Sequence, residues 1–486
     1  MKKKNKGSSH FRDKRTKIVA TIGPASESRE SLRAMMRNGL NVARLNFSHN
    51  EHSWHKNAIK TIREVSAELG VNVGILADLQ GPRIRVRTAN ELKAVKGKEI
   101  LVSDISHRKT SDDLSADLFY LDYPGIIRKL EVGHYILIED GLIRLKVIKK
   151  ERKLLRTKVI DGGVIKNHKG VNIPAADLDI DVITKKDKKD LEFAVKNKVD
   201  FVALSFVRNS ENIIQLKRLM KKYSGTGKNL PHVISKIERS EAIDNLDEIL
   251  DETDAVMVAR GDLATETSPG RLAVYQKKIV AKSLRKMKPV IMATEMLDSM
   301  IENPRPTRAE ISDVSNAVID HTDAVMLSGE TAGGRYPVET VGVMSDIISS
   351  TEESPYDDVY RALRINIKSD YATIIRGAYE IARSFNAKAI AMVSVSGFTA
   401  RMVSHFRPEQ KIMVATNNQK THSQLSLAWG VDSYYIKERK LDILIDAMIA
   451  EAKKKKELKK GDQIVVILGR VPCGQKMRLV GVRGIV

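Results

Sequence analysis

Thr253-Asp-Ala-Val-Met-Val-Ala-Arg-Gly-Asp262 decides the fold. Five apolar residues stand between a Thr-Asp pair and a charged Arg-Gly-Asp end, with no polar alternation inside. A parallel strand covered on both faces has this character. The first five residues recur as Thr322-Asp-Ala-Val-Met326. Comparable runs ending in polar residues lie at Lys17–Thr21, Asn41–Asn46, Val73–Asp78, Asp200–Ser205, His232–Glu238, Ala255–Arg260, Pro289–Thr294 and Ala324–Ser328. Helical spacing separates most of them, as in Glu30–Asn38, Ser53–Leu69, Lys186–Lys196, Ser210–Tyr223, Arg271–Met287 and Thr307–Ile319. Eight strands alternating with helices predict an α/β fold, a (β/α)8 TIM barrel, whose usual size is about 250 residues.

Residues 18–354 are too many for a plain barrel. The excess follows the third strand, where helical periodicity vanishes between Arg83 and Val182 and turn signals stand at Asp140-Gly141 and Asp161-Gly162-Gly163. The expected organisation is a basic tail (1–16), a barrel (17–82 and 183–354), an inserted all-β lid domain (83–182) and a C-terminal α/β domain (355–486). In the last, strands are expected at Ala389–Val395, Lys411–Ala415 and Gln463–Leu468.

The 486 residues include 83 Lys+Arg and 61 Asp+Glu, a formal charge of +22. That excess sits in residues 1–17 (+7), the insert (+5) and the C-terminal part (+11), leaving the barrel at −1. A basic chain invites a nucleic-acid reading. Aromatics at only 5%, and no RNA-recognition motif, argue against a specific nucleic-acid partner. Lys453–Lys456 ends a helical segment, where cations suit the macrodipole. One cysteine, Cys473, excludes an intramolecular disulfide and favours a reducing compartment. The basic start lacks a following apolar stretch, and no run reaches the length of a membrane helix, so a cytoplasmic protein with no membrane partner is expected.

A barrel builds its active site at the C-terminal ends of its strands. Those ends carry Arg44, Asn46 and Ser48; Asp78; Ser205; Lys236 and Glu238; Arg260 and Asp262; Thr294; and Ser328 and Glu330. Glu238 and Asp262, on adjacent strand ends, suit a hard divalent cation such as Mg²⁺, which takes one or two carboxylates and leaves room for water and substrate phosphate. Lys236 and Glu238, two apart, share a face of their strand. An Arg and a Lys beside such a cation match phosphoryl transfer; the plainer alternative for Lys236–Glu238 is a solvated ion pair. Gly225-Thr-Gly-Lys228 reads as a surface turn, because Lys222 stands where a phosphate loop has its first glycine.

Thr16-Lys-Ile-Val-Ala-Thr-Ile-Gly-Pro-Ala25, Asn41-Val-Ala-Arg-Leu-Asn-Phe-Ser-His49, Ser235-Lys-Ile-Glu238, Met257–Leu263, Met296–Met300 with Asn303-Pro-Arg-Pro-Thr-Arg-Ala-Glu310, and Thr322–Thr331 together resemble pyruvate kinase. The resemblance is strong over 15–352 and looser over 355–470. It implies transfer of phosphate from phosphoenolpyruvate to ADP, giving ATP and an enolate that is protonated to pyruvate. It further implies that Glu238 and Asp262 hold Mg²⁺ or Mn²⁺, and that Lys236 stabilises the transferring phosphoryl group and the enolate. Arg44 would clamp phosphate, Gly261 and Asp262 would present N–H groups to the substrate carboxylate, and Thr294 would serve enolate protonation, backed by a water chain. Pro24, His49, Arg85 and Lys169 map to nucleotide contacts, the last from a closing lid, and a homotetramer is implied.

The departures are specific. Members of the family that need K⁺ hold it at positions matching Asn46, Ser48, Asp78 and Leu79, with Thr-Lys-Gly-Pro-Glu after the aspartate. This chain has Leu79-Gln-Gly-Pro-Arg83 and resembles the K⁺-independent branch, with Arg83 as the fixed cation. Ala264 and Glu295 replace a usual glycine and glutamine. Ala264 is tolerable only at negative φ, and a protonated or ion-paired Glu295 would reconcile its charge with an anionic substrate. Ser394, Ser396, Gly397 and Thr399 resemble a loop that takes a phosphorylated allosteric effector; the alternative is an ordinary turn capped by Thr399. A barrel lyase with the same enolate chemistry but no ADP is the competing activity.

Overall fold

The computed structural model describes residues 14–107, 117–139, 141–174, 181–267, 269–357, 370–438, 440–468 and 479–486. Cys473, Asp140 and most of the basic tail lie outside them. The barrel is the expected one: strands Lys17–Thr21, Val42–Asn46, Gly74–Asp78, Phe201–Leu204, His232–Ile237, Ala255–Ala259, Val290–Ala293 and Ala324–Leu327 close into a parallel ring. Its unbroken apolar runs have a two-sided explanation. Ala255 and Met257 pack inside the ring with Phe201, Ile234 and Met326, while Val256 and Val258 pack outward beneath the helices.

The chain leaves the ring after Asp78 and re-enters it at Phe201. Between lies a second closed barrel, seven-stranded and mostly antiparallel, with its own core around Phe119, Ile136 and Leu145. The loop into it contains Gly81, at φ +70, where an added Cβ would stand 2.9 Å from the Ser205 side chain. Its N–H is fixed by Asp187 at 3.1 Å. Only glycine fits that approach, and Arg83 is thereby placed at the barrel mouth.

The C-terminal domain is a five-stranded sheet. Besides Ala389–Val393, Lys411–Thr416 and Gln463–Leu468 it contains Val431–Tyr435 and an antiparallel edge, Leu479–Gly484, neither of which the sequence reading anticipated. No helix among the described residues is long and apolar enough to cross a membrane.

The repeated Thr-Asp pair has a structural purpose at the bottom of the barrel. Asp254 accepts from the Val233 N–H at 2.8 Å and Asp323 from the Val290 N–H at 3.0 Å. Asp200 does the same for Ile75 at 2.9 Å. Each aspartate caps the neighbouring strand's first free donor, which would otherwise be buried unpaired. The C-terminal domain docks on these carboxylates. Lys420 reaches Asp200 at 3.3 Å and Arg407 reaches Asp323 at 3.0 Å. Arg407 also donates to the His321 carbonyl and lies over the Trp429 ring at 4.9 Å.

Both members of the Arg407–Asp323 pair are nearly inaccessible. Removing one leaves a buried charge uncompensated, a loss of about 3–5 kcal/mol. Arg407→Met is therefore expected to lower the urea midpoint sharply, as circular dichroism would measure. An exposed pair such as Arg218–Glu211 should move it by no more than about 1 kcal/mol.

Candidate active site

At the C-terminal mouth of the barrel a cavity of about 150 Å³ collects residues from seven of the eight strand ends or the loops that follow them. Its floor is a buried charge network. Arg44 donates from Nε to Asp78 Oδ2 at 2.7 Å and from a terminal nitrogen to Thr21 Oγ1 at 2.8 Å. Lys236 lies 2.8 Å from Glu238 Oε1 and 3.4 Å from Asp78 Oδ1, and donates to Ser205 Oγ at 2.8 Å. Ser205 passes its own hydrogen to the Leu79 carbonyl. The Phe206 N–H donates to Glu238 Oε2 at 2.6 Å. Lys236–Glu238 is thus not a solvated pair: Asp78 and Glu238 are each about 1% exposed.

Burial alone would drive the Asp78 carboxyl up, but Lys236 and Arg44 outweigh it and hold the group below its ordinary value near 3.8. Burial opposes the Lys236 charge as well, yet Asp78 and Glu238 raise its pKa. Glu238 moves the other way. Its desolvation dominates, the nearby Asp262 adds repulsion, and its pKa rises despite Lys236. Two carboxylates that repel each other in a dry mouth fit a hard divalent cation. Among the described residues no cluster of three or more His, Cys, Asp or Glu side chains could complete an all-protein metal cage. That donor set matches Mg²⁺, which keeps water and substrate oxygens in its shell.

Thr294 closes the other side. Its Oγ1 accepts from the Gly261 N–H at 2.9 Å and donates to the Ala293 carbonyl at 2.7 Å. Thr294 and Glu295 both have left-handed backbones, φ +68 and +52. For a β-branched residue that conformation costs about 1–3 kcal/mol and persists only when its surroundings enforce it. Ala264 lies inside the helix Arg260–Glu266, so its methyl is accommodated at negative φ. Glu295 is exposed and has no salt bridge among the described residues, so the expected ion pair is not seen.

The sequence-derived residues divide clearly. Arg44, Asn46, Ser48, Asp78, Leu79, Arg83, Lys236, Glu238, Asp262 and Thr294 all line the cavity, and Gly261 touches it through Thr294. Pro24, His49, Arg85 and Lys169 do not line it. His49 is exposed on the rim; partial burial and then Arg83, Arg85, Arg44 and Lys186 lower its pKa. Arg85 donates to the His168 carbonyl at 3.2 Å, and Lys169 pairs with Glu139, both within the inserted domain. Glu330, a strand-end candidate, lies outside the cavity and accepts from the Ser328 and Leu297 N–H groups. The sequence reading missed Thr21, although it ends the first strand, because its hydroxyl carries no charge to mark it, and missed the Phe206 N–H because a backbone donor leaves no motif.

In the C-terminal domain, Gly397 at φ +75 caps the helix Phe398–His405, so Thr399 is not the cap. Ser394 is buried with its N–H on the Ala415 carbonyl, and Ser396 Oγ accepts from the Phe398 N–H at 3.5 Å. A larger cleft, about 2580 Å³, separates the barrel bottom from this domain and is lined by Lys14, Lys17, Lys420 and Lys455 among others. None of the strand-end candidates reaches it.

Residues 13–341 match the family described as pyruvate kinase, barrel domain, and residues 372–478 that described as pyruvate kinase, alpha/beta domain. The first match alone spans more than half of the chain. The chain belongs to the pyruvate kinase family. Among curated pyruvate kinases, that of Sporosarcina psychrophila is 42% identical over 471 residues, 95% of this chain and 78% of the relative. One from Staphylococcus epidermidis is 40% identical over 472 residues, 95% of this chain and 79% of the relative. A crystal structure of a pyruvate kinase from Cryptosporidium parvum superposes with a TM-score of 0.89 at 33% identity, covering 97% of this chain and 96% of that one.

The depressed Asp78 pKa has a measurable sign. The group stabilises the fold fully above its unfolded value near 3.8, and that contribution is lost as pH falls through the lower folded value. As pH falls below about 4, wild type should therefore lose more stability than Asp78→Asn, whose curve should be flatter in denaturant titrations on the acid side.

Proposed function

We propose that this chain is a phosphotransferase that moves the phosphoryl group of phosphoenolpyruvate to ADP, giving ATP and pyruvate, with its chemistry at the mouth cavity. The observation that carries the site assignment is the buried network itself. Arg44 and Lys236 are held in place by Asp78 and Glu238 before any substrate arrives, so little reorganisation is needed as charge moves. Arg44 presents its remaining guanidinium hydrogens to phosphate. Lys236 faces the oxygen between phosphorus and the enol carbon and stabilises negative charge as that bond breaks. Glu238 and Asp262 would hold Mg²⁺ or Mn²⁺, which when bound stabilises charge on the substrate oxygens. The Gly261 N–H and the Asp262 backbone take the carboxylate, in exchange for the Thr294 hydroxyl that occupies Gly261 here. Pro24, His49, Arg85 and Lys169 form the nucleotide side, and the inserted domain closes over it to exclude water.

A monovalent cation is not required in this reading. Arg83 lines the cavity beside Asn46, Ser48, Asp78 and Leu79, and Asp78 Oδ1 is buried without a hydrogen bond, 3.4 Å from Lys236. Lys236 is the cation beside that oxygen, and Arg83 adds fixed positive charge to the same wall of the cavity. Ser394, Ser396, Gly397 and Thr399 are assigned to a phosphorylated effector, and the enzyme to a cytoplasmic homotetramer. A lyase acting without ADP is disfavoured by the inserted domain and by the cations around His49.

A coupled assay with phosphoenolpyruvate and ADP should show turnover in wild type, and Lys236→Met should reduce kcat by ~10³-fold or more in the fraction that folds. ADP-independent pyruvate formation would support the lyase instead. Activity in buffer free of K⁺ and Na⁺ should remain near full, and a strict K⁺ requirement would remove the role given to Arg83. Titration with AMP and sugar phosphates should change the cooperativity of phosphoenolpyruvate saturation. Indifference to all of them would reject the effector loop.

A further inference from the structure

The long segment from Met296 to Glu310 is the most distinctive stretch of the sequence, yet none of its residues lines the cavity. Its hydrogen bonds show what it holds. Leu297 N–H donates to Glu330 at 3.2 Å. Ser299 donates from its N–H and its hydroxyl to Glu310, the same carboxylate that boxes the start of the helix Arg308–Ile319. From that helix Asp313 reaches back to Arg260 at 2.6 Å. Arg260 is 8% exposed, and its guanidinium donates to the carbonyls of Ala293 at 3.2 Å, Thr294 at 2.6 Å and Glu295 at 3.3 Å. Those three carbonyls belong to the left-handed turn that carries Thr294. The next residue, Gly261, holds the Thr294 hydroxyl itself. Before substrate binds, Arg260 and Gly261 thus hold the backbone and the side chain of one residue from consecutive positions; once Gly261 turns to the substrate carboxylate, the Arg260 hold on the backbone is the one that remains.

We propose that Arg260, fixed by Asp313, is a positioning residue that holds the Thr294–Glu295 turn and thereby governs protonation of the enolate rather than phosphoryl transfer. The inference rests on the phosphotransferase reading above. In the step concerned, the enolate's methylene carbon gains a proton from Thr294 Oγ1, its C=C electron pair forming the new C–H bond. Oγ1 regains a proton as it gives one up, relayed along water from a solvent hydronium ion, so neither alkoxide nor hydroxide is left behind. A turn with two left-handed non-glycine residues has no reason to stay put unless its carbonyls are tied. The guanidinium supplies those ties, because its planar fork reaches several acceptors at once, which a lysine ammonium does not reproduce.

The test uses the full chain with Asp313→Asn and Arg260→Lys, each alone and combined with Thr294→Ala. Two rates are read: incorporation of deuterium into the methyl group of pyruvate in D₂O with Mg²⁺ and ATP, by proton NMR, and steady-state turnover of phosphoenolpyruvate with ADP. Asp313→Asn should slow methyl exchange about 10-fold while leaving KM for phosphoenolpyruvate within about 2-fold. In the Thr294→Ala background the same substitution should change exchange by less than about 2-fold, since the residue it acts through is gone. Equal losses in both backgrounds, unchanged exchange, or a raised KM with kcat preserved would overturn the proposal. Should Asp313→Asn not fold, Arg260→Lys carries the same comparison. A wild type with neither reaction would instead overturn the phosphotransferase reading, so the two failures are distinguishable.

Discussion

Everything at the barrel mouth depends on keeping two buried cations and two buried carboxylates mutually satisfied. Arg44, Lys236, Asp78 and Glu238 come from the ends of the second, fifth, third and fifth strands, and no one of them is stable in that environment without the others. Desolvation of a lone charge costs several kcal/mol, and only close pairing with full hydrogen bonding offsets it. The barrel meets the requirement by register. Arg44 pairs with Leu76 and Asn46 with Asp78, so the third strand brings Asp78 level with the end of the second. On the other side Ala203 pairs with Asp78 and Leu204 with Ser235, which delivers Lys236 and Ser205 to the same level. A slip of one residue in any of these strands would turn its charged residue outward beneath the helices.

Much of this was legible in the sequence. The eight strands stand where unalternating apolar runs end in polar residues, and once those runs implied a barrel, the strand ends led to Arg44, Asp78, Lys236, Glu238, Asp262 and Thr294 without reference to any family. The signal is strong there because a dry parallel strand permits few polar residues, so each one that occurs is informative. The strands missed in the C-terminal domain fail that condition. Val431-Asp-Ser-Tyr-Tyr435 is half polar, and Leu479-Val-Gly-Val-Arg-Gly484 is an exposed antiparallel edge with two glycines. Thr399 was a reasonable cap by residue type, but Gly397 takes that place because the chain turns there with positive φ. Contacts made to carbonyls were invisible for a different reason. Arg260 reads from the sequence as another charged strand end, and besides Asp313 its partners are mostly peptide oxygens that every residue possesses.

The charge distribution follows the same division. The barrel is nearly neutral because its basic and acidic residues are almost equal in number, while the basic tail, the insert and the C-terminal domain carry the surplus of Lys and Arg. The two arrangements suit different tasks. Paired, desolvated cations orient one substrate with precision, whereas a net surplus of surface cations raises the local concentration of anions over a Debye length of about 10 Å. The formal charge of +22 therefore describes the periphery of this molecule and says little about its reaction centre.

The aspartates at the barrel bottom have a consequence for how the molecule comes apart. Asp200 and Asp323 each spend one oxygen on the neighbouring strand's N–H and the other on a cation of the C-terminal domain. Asp254, which caps Val233, also lies in the field of Arg401. Strand closure and domain attachment thus share atoms instead of merely sharing a boundary. When the C-terminal domain lifts away, the carboxylates it leaves are the ones clamping the ring, and they are free to rotate toward water. Barrel and C-terminal domain form one cooperative unit, in which local opening at the interface is already the first stage of opening the core.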